Sequence, residues 1–219
     1  MKSYTMKSMR LSVVLLMSCV VGAISASASP APEGPDSVAL TPTAFLMGHD
    51  TAVRDIVLRE PADNLTTEER EQVRLLINQA FDFRELARLS LGPAWDLRSP
   101  AEQDEFVGVY QKIIERRNLD MFVSYHRDGG ISYTGEEIDA EGRATVLTEV
   151  PLKKEKKVIA YSLFRTEAQP DWRIYDLTVD GASTVAGNRR TWTRYIARKS
   201  YEQLLEGLRK KLANLEGAG

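Results

Sequence analysis

Residues 171–181 read Asp-Trp-Arg-Ile-Tyr-Asp-Leu-Thr-Val-Asp-Gly, a pattern that predicts a β-strand, from Trp172 to Val179, followed by a glycine turn. After the turn, apolar residues recur at helical spacing and predict one long amphipathic helix from Asn188 to Leu212. Before the strand, hydrophobicity alternates with a period of two, and the links are short enough for antiparallel hairpins. Further strands are therefore expected at residues 131–138, 143–152 and 156–165.

The first half of the chain carries helix signals. Thr41-Pro42, Thr66 and Ser99-Pro100 are each typical of a helix N-terminus, and Gly92-Pro93 and Gly129-Gly130 are typical of helix ends. Helices are therefore expected at residues 42–60, from residue 66 onward, at 83–91 and at 99–128. Helices first, then a meander of strands and a last helix indicate an α+β domain. We expect an antiparallel sheet of four strands, or slightly more, backed by several helices on one face.

The N-terminus has the three parts of a secretory signal peptide. Lys2, Lys7 and Arg10 form a basic region, residues 11–24 are apolar, and Ala26-Ser27-Ala28 matches a small-residue cleavage site. The apolar run is too short to span a bilayer permanently, so we predict export with cleavage near Ala28. The predicted segments are a signal peptide at residues 1–28, a flexible Pro-rich lead-in at 29–41 and a single domain at 42–215.

Cys19 is the one cysteine of the chain, and it lies inside the predicted signal. The mature chain therefore has no disulfide, thiol nucleophile or cysteine-based metal site. Leu16-Met17-Ser18-Cys19 also partly matches a lipoprotein processing site, which leaves acylation of Cys19 as the alternative to soluble export. The chain has 29 Lys and Arg against 31 Asp and Glu, and removing the signal makes it more acidic. A nucleic-acid partner is therefore not expected.

Charged residues suggest which face of each strand points inward. On the second strand Arg143 and Glu149 share one parity, which leaves Val146, Thr148 and Val150 facing the core.

On the third strand Lys157 and Arg165 are taken to mark the outer face. The inward residues would then be Val158, Ala160, Ser162 and Phe164. Ala160 and Ser162 are small, so the interior beside them is either closely packed by a helix side chain or hollow. Both interpretations remain open on these residues alone.

Four blocks in order make the chain resemble the MlaC family, also called the toluene-tolerance family, over roughly residues 43–213. The family contains the periplasmic phospholipid-binding component of the Mla lipid transport system. Three of the blocks are FDF with LSLGPAW, the SPAEQ helix start, and WRIYDLTVDGAS; the fourth is the LLEGLRKK end. They lie at residues 81–95, 99–106, 172–183 and 204–211.

The resemblance implies a non-enzymatic periplasmic carrier that buries phospholipid acyl chains in an apolar pocket. It implies transfer between an outer-membrane lipoprotein complex and an inner-membrane ABC transporter with a lipid-ring subunit, in a system that maintains outer-membrane lipid asymmetry. We expect a monomer with no cofactor, no metal and no catalytic residue. Residues 184–190 depart from the family pattern, so a hopanoid or another apolar ligand remains open.

Candidate lining residues come from the strands and from the helices opposite them. The strand residues are Val146, Thr148, Val150, Val158, Ala160, Ser162, Phe164, Tyr175, Leu177 and Val179. The helix residues are Phe83, Leu86, Leu91, Val109 and Ile113.

Two other classes of function remain as alternatives. One is an enzyme acting on a hydrophobic substrate, with Asp176 or His126 as general base. His49 and His126 are the only histidines, and no metal-binding or nucleophile motif accompanies them. The other alternative is an exported interaction module with a filled core.

Overall fold

The structure, a computed structural model, describes residues 40–59, 65–152 and 155–217, except for the side chains of residues 117 and 118. The predicted signal peptide, the alternative acylation site at Cys19 and nearly all of the Pro-rich lead-in lie outside these residues.

Helices form the first half of the described chain, and they begin at capping side chains. Thr41 Oγ1 accepts a hydrogen bond from the Ala44 amide, 3.1 Å away. Thr66 and Ser99 each form a capping box with the glutamate three residues later. The helix starts predicted from these residues are therefore confirmed. The elements are α1 (Pro42–Val57), α2 (Thr67–Ala80), α3 (Phe83–Leu91), a 3₁₀ turn (Gly92–Ala94) and α4 (Pro100–Asp128).

An antiparallel sheet follows, and its strands pair in chain order. The strands are β1 (Ser132–Ile138), β2 (Ala144–Pro151), β3 (Lys156–Thr166), β4 (Gln169–Val179) and β5 (Ala182–Ser183). The predicted α+β class is confirmed. On β1, at the edge, the register shifts between Tyr133 and Gly135. Beyond the shift, the Glu136 carboxylate accepts a hydrogen bond from the Thr43 amide in the first turn of α1, at 2.8 Å.

The prediction of one helix from Asn188 to Leu212 is wrong. The segment forms two helices, α5 (Thr184–Arg198) and α6 (Tyr201–Gly217). Lys199 leaves the helical conformation, with φ −125° and ψ −109°, and Ser200 Oγ accepts a hydrogen bond from the Gln203 amide. Phe106 of α4 contacts Trp192 before the break and Tyr201 after it, with ring centroids 5.5 Å and 6.2 Å apart. The break therefore lets both helices pack on one aromatic side chain.

The faces of β2 are as predicted. Val146, Thr148 and Val150 are fully buried, and they define the inner face of the sheet.

The predicted faces of β3 are wrong. Ile159, Tyr161 and Leu163 pair with the inward residues of β2 and are buried. Lys157 and Arg165 share their parity but sit near the strand ends, where a long side chain can leave the interior. Lys157 Nζ reaches the Asp180 carboxylate at 3.0 Å, and Arg165 lies over the Trp172 ring at 4.7 Å. The residues on the outer face are Val158, Ala160, Ser162 and Phe164.

A bulge at Tyr175 changes the faces of β4. Ser162 pairs with Asp176 and Leu163 with Ile174, which leaves Tyr175 as the extra residue. Beyond the bulge, Leu177 and Val179 pair with the inward residues Tyr161 and Ile159. Leu177 and Val179 therefore lie on the inner face, as predicted.

The main hydrophobic core lies between the inner face of the sheet and the helices. Residues of α1, α3, α4, α5 and α6 all contribute to it. Its members include Leu46, Leu86, Phe106, Trp192, Leu205, Val146, Tyr161 and Ile174.

Candidate functional site

Two cavities open inside this core, and Phe81 lines both. Phe81 lies between α2 and α3, in extended conformation, and forms an isolated parallel bridge with Ile174 of β4. The Asp82 amide donates to the Ile174 carbonyl at 2.9 Å, and Asp82 Oδ1 accepts from the Glu85 amide at the start of α3. Phe83 stacks on Phe81 with ring centroids 5.3 Å apart. The Phe-Asp-Phe segment thus anchors a helix end to the sheet and holds an aromatic ring between the cavities.

The larger space, the tryptophan cavity, has a volume of about 280 Å³. Trp192 forms one wall, with its ring edge-on to Tyr110 at 5.1 Å between centroids. Most of the other lining side chains are apolar. They are Phe81, Leu86, Ile113, Ile114, Met121, Leu177, Val179 and Leu208.

The lining residues of the tryptophan cavity that are exposed to solvent are polar. Thr184 and Lys211 are exposed and line it, and Asn188 is half-buried and donates a hydrogen bond to the Tyr110 hydroxyl. The arrangement is therefore an apolar interior with a polar mouth, which suits an amphiphile whose hydrocarbon enters and whose polar end stays in water.

The smaller space, the histidine cavity, has a volume of about 50 Å³ and lies beneath α1 and α4. Its polar lining residues are His49, Asp50, His126, Tyr133 and Tyr161. Its apolar lining residues are Leu46, Val53, Ile77, Ala80, Phe81, Phe122, Ile131 and Ile174.

Burial shifts the titration of the polar side chains in the histidine cavity. It lowers the pKa of His126 to about 4 and raises the pKa of Asp50 to about 6. It also lowers the pKa of His49 and raises the pKa of both tyrosine hydroxyls. At neutral pH the imidazoles are therefore neutral and Asp50 is ionised.

Four of the predicted lining residues come together in the tryptophan cavity: Leu86, Ile113, Leu177 and Val179. Phe83 lines an adjoining hollow of about 10 Å³. The remaining inward residues pack in the core or against it without lining either cavity. These are Val146, Thr148, Val150, Leu91 and Val109.

Five of the predicted lining residues are on the wrong side of the sheet for either cavity: Val158, Ala160, Ser162, Phe164 and Tyr175. The Tyr175 ring packs against Phe164 at 5.8 Å between centroids, and Arg143 lies over it at 5.6 Å. The prediction failed for the four β3 residues because the inward face of β3 has the opposite parity, and for Tyr175 because it is the extra residue of the β4 bulge.

Sequence reasoning missed several lining residues. Trp192 and Leu208 belong to the apolar stripe of the last helices, and Phe81 belongs to the Phe-Asp-Phe block, so pattern alone could have nominated them. No sequence signal places His49, Asp50 and His126 together, because they meet only when α1 packs on α4.

Asp176, the other hypothetical base, uses both carboxylate oxygens to accept hydrogen bonds from Ser183 Oγ and the Val185 amide at the start of α5.

A family model described as MlaC protein matches residues 51–210. The chain belongs to the MlaC family. A solved structure with a TM-score of 0.66 shares 17% sequence identity and covers 79% of this chain and 97% of its own. That structure is of the phospholipid-binding protein from Ralstonia solanacearum in complex with a phospholipid. At this identity the likeness concerns the fold. No curated protein matches the chain.

Two kinds of feature are absent from the part of the chain that the structure describes. Within residues 40–59, 65–152 and 155–217, no helix is both long and apolar enough to cross a membrane. The same residues contain no group of three or more His, Cys, Asp or Glu side chains placed to hold a metal ion.

Proposed function

We propose that this protein is a periplasmic phospholipid carrier that holds acyl chains in the tryptophan cavity while the head group stays at its polar mouth. The observation that carries the proposal is the cavity itself: its walls from the sheet and four helices are mostly apolar, and the two lining residues exposed to solvent, Thr184 and Lys211, are polar. Family membership supports binding and transport over catalysis. The phospholipid held by the Ralstonia protein, which shares the fold, supports the ligand class.

The physical need for such a carrier is large. A two-chain lipid exposes on the order of 30 methylenes at about 0.8 kcal/mol each, so passage through water costs tens of kcal/mol. The carrier must offer burial close to that of a bilayer, because a much better site would not release the lipid. Walls built from Leu, Ile, Val and aromatic side chains supply that hydrocarbon environment.

The present cavity is small for two chains. Its volume of about 280 Å³ lies near the lower limit of ligand sites, which is about 300 Å³. We propose that Phe81 moves as lipid enters and joins the two cavities. Phe81 lies in a connection between two helices, so its side chain can move without breaking either helix.

Export and partners form the finer part of the proposal. The predicted signal peptide carries the chain to the periplasm, where it exchanges lipid with an inner-membrane ABC transporter bearing a lipid-ring subunit and with an outer-membrane lipoprotein complex. Exposed cations on α5, which has no acidic residue, supply a surface for an anionic partner. They are Arg189, Arg190, Arg194 and Arg198.

Native mass spectrometry of the mature protein, purified without detergent, tests the proposal directly. We expect a mass increment that matches a phospholipid, identified after solvent extraction. Protein that carries no lipid, and that takes none from phospholipid vesicles, would contradict a carrier and favour the exported interaction module.

A further inference from the structure

His126 and Asp50 form a buried polar pair at the wall of the histidine cavity. His126 projects from α4, with 2% of its side chain exposed, and Asp50 projects from α1, with 16% exposed. Nε2 of His126 lies 3.3 Å from Oδ1 of Asp50. A polar pair at the wall of a lipid cavity is costly to bury, so its hydrogen bonds indicate what the cavity accepts.

One polar atom of each residue in this pair has no hydrogen-bond partner in the described part of the chain. Among the residues that the structure describes, none forms a hydrogen bond with His126 Nδ1 or with Asp50 Oδ1. The 3.3 Å contact therefore has ion-pair distance without hydrogen-bond alignment. Two neighbouring polar atoms do have partners: His49 Nδ1 contacts the Leu76 carbonyl at 3.2 Å, and Thr148 Oγ1 donates to the Ile159 carbonyl.

The protonation states of His126 and Asp50 indicate what kind of group His126 Nδ1 would bind. His126 is neutral at pH 7, because burial and the nearby Arg54 both lower its pKa. A neutral imidazole carries one N–H, and the carboxylate beside Nε2 favours the tautomer with the proton on Nε2. Nδ1 is then a bare acceptor, and it requires a donor.

Size and charge narrow the class of donor. The histidine cavity of about 50 Å³ has room for a group near the size of one or two water molecules. A phosphate is disfavoured by the ionised Asp50, and any charged head group by the desolvation cost of burial in so small a space. An uncharged hydroxyl carried on hydrocarbon satisfies all these conditions.

We propose that the histidine cavity is a subsite for a hydroxyl group on the hydrocarbon part of the bound lipid, which donates a hydrogen bond to His126 Nδ1. The proposal rests on the lipid-carrier function and adds a preference among lipids. Phe81 lines both cavities, so hydrocarbon that passes it from the tryptophan cavity reaches this pair. The hydroxyl has two possible sources, a hydroxylated acyl chain or a polycyclic alcohol.

A competition experiment with matched probes tests the subsite. The mature protein is incubated with phospholipid vesicles that contain equal amounts of stearate, a hydroxystearate and the corresponding oxostearate, and the bound lipids are extracted and quantified. The series is repeated with the substituent at several chain positions. A second arm compares cholestanol with cholestanone. The oxo compounds can accept a hydrogen bond but cannot donate one.

We expect the hydroxyl compound of at least one arm to be enriched about fivefold over both of its competitors. His126→Leu should abolish the enrichment while phospholipid binding persists. His126→Asn, which places an amide near Nδ1, should retain part of it, and His126→Gln, which places the amide near Nε2, should not. Phe164→Leu, on the outer face of β3, is the control and should keep the preference, because Phe164 lines neither cavity.

The outcomes separate the two proposals. Phospholipid binding without hydroxyl preference, or with the same preference in His126→Leu, overturns the subsite and leaves the carrier function standing; ordered water then fills the cavity. A wild-type protein that binds no lipid overturns the carrier function itself. If His126→Leu does not fold, the Asn and Gln variants decide the matter.

Discussion

The tryptophan and histidine cavities share Phe81 but have different walls. The first is closed by aromatic and aliphatic side chains and is polar at its mouth. The second is smaller and holds a buried histidine–aspartate pair. Under the two proposals above, this difference divides the work: apolar walls hold hydrocarbon of any kind, whereas a polar pair with unmet hydrogen bonds discriminates among lipids. Four predictions test that division.

The largest effect is expected from Leu177→Trp, which fills the tryptophan cavity from β4. The bound lipid fraction should fall several-fold, because the added ring occupies the volume that hydrocarbon needs, while overpacking costs about 1–3 kcal/mol. Native mass spectrometry measures occupancy, and thermal unfolding measures stability. The matched control is Ala160→Trp on the outer face of the same sheet, which should keep its lipid. Equal occupancy in the two variants would place the acyl chains elsewhere.

Phe81→Ala removes the ring that separates the cavities. It should lower the free energy of unfolding by about 3–5 kcal/mol, as expected for a phenylalanine with 7% exposure. Bound lipid should restore part of that loss, since the merged space is larger. Urea unfolding with and without phospholipid measures both effects. A variant that lipid fails to stabilise would show that Phe81 supports binding rather than dividing the space.

The two members of the histidine–aspartate pair give opposite pH dependences that offset each other in the wild type. The folded-state pKa of Asp50, raised to about 6, makes its contribution to stability fall as pH rises from about 4 to 6. The lowered pKa of His126, about 4, makes its contribution rise between about 4 and 6.5. His49, Tyr133, Tyr161 and Arg54 also face or approach the pair, and the tyrosines stay neutral throughout this range.

Single substitutions should therefore unmask opposite slopes. In His126→Leu, stability should fall by about 1–2 kcal/mol from pH 4 to 6, and in Asp50→Leu it should rise by a similar amount. Urea midpoints at pH 4, 5 and 6 measure the slopes relative to wild type. Parallel slopes in the two variants would mean that the pair does not control this window.

The smallest effect concerns α6, which carries Leu208 to the tryptophan cavity. Ser200→Ala removes the hydroxyl that caps α6 and should cost about 1 kcal/mol. It should leave the hydroxyl preference of the histidine cavity unchanged, because α6 does not line that cavity. Chemical denaturation and the lipid competition assay measure the two properties. A changed preference would show that the cavities are coupled through α6.

Local signals were sufficient for much of the fold. Thr66 and Ser99 marked helix starts because capping chemistry is read within four residues, and β2 alternates cleanly between Val146 and Val150. The prediction of the inward face of β3 failed because Lys157 and Arg165 lie near the strand ends. A charged residue there does not indicate which central residues face the core. The bulge at Tyr175 depends on pairing with β3 and has no local signal. The break at Lys199 does have one, because Ser200 caps α6 through the Gln203 amide, but the continuous apolar stripe concealed it.

The site was harder to predict than the fold. Leu86, Ile113, Leu177 and Val179 were nominated from apolar pattern and they meet at one cavity. The histidine–aspartate pair could not be nominated, since Asp50 and His126 look like ordinary helix residues until α1 packs on α4. Binding by any of these residues stays a prediction until lipid is measured.

The edge strand β1 affects how readily molecules of this protein aggregate by pairing their sheets. Its ladder is interrupted between Tyr133 and Gly135, and Glu136 and Glu137 place negative charge along the strand. Interrupted, charged edges are poor templates for adding a strand from another molecule. A molecule whose apolar cavity walls are exposed to water therefore offers little β1 backbone on which fibrils could nucleate.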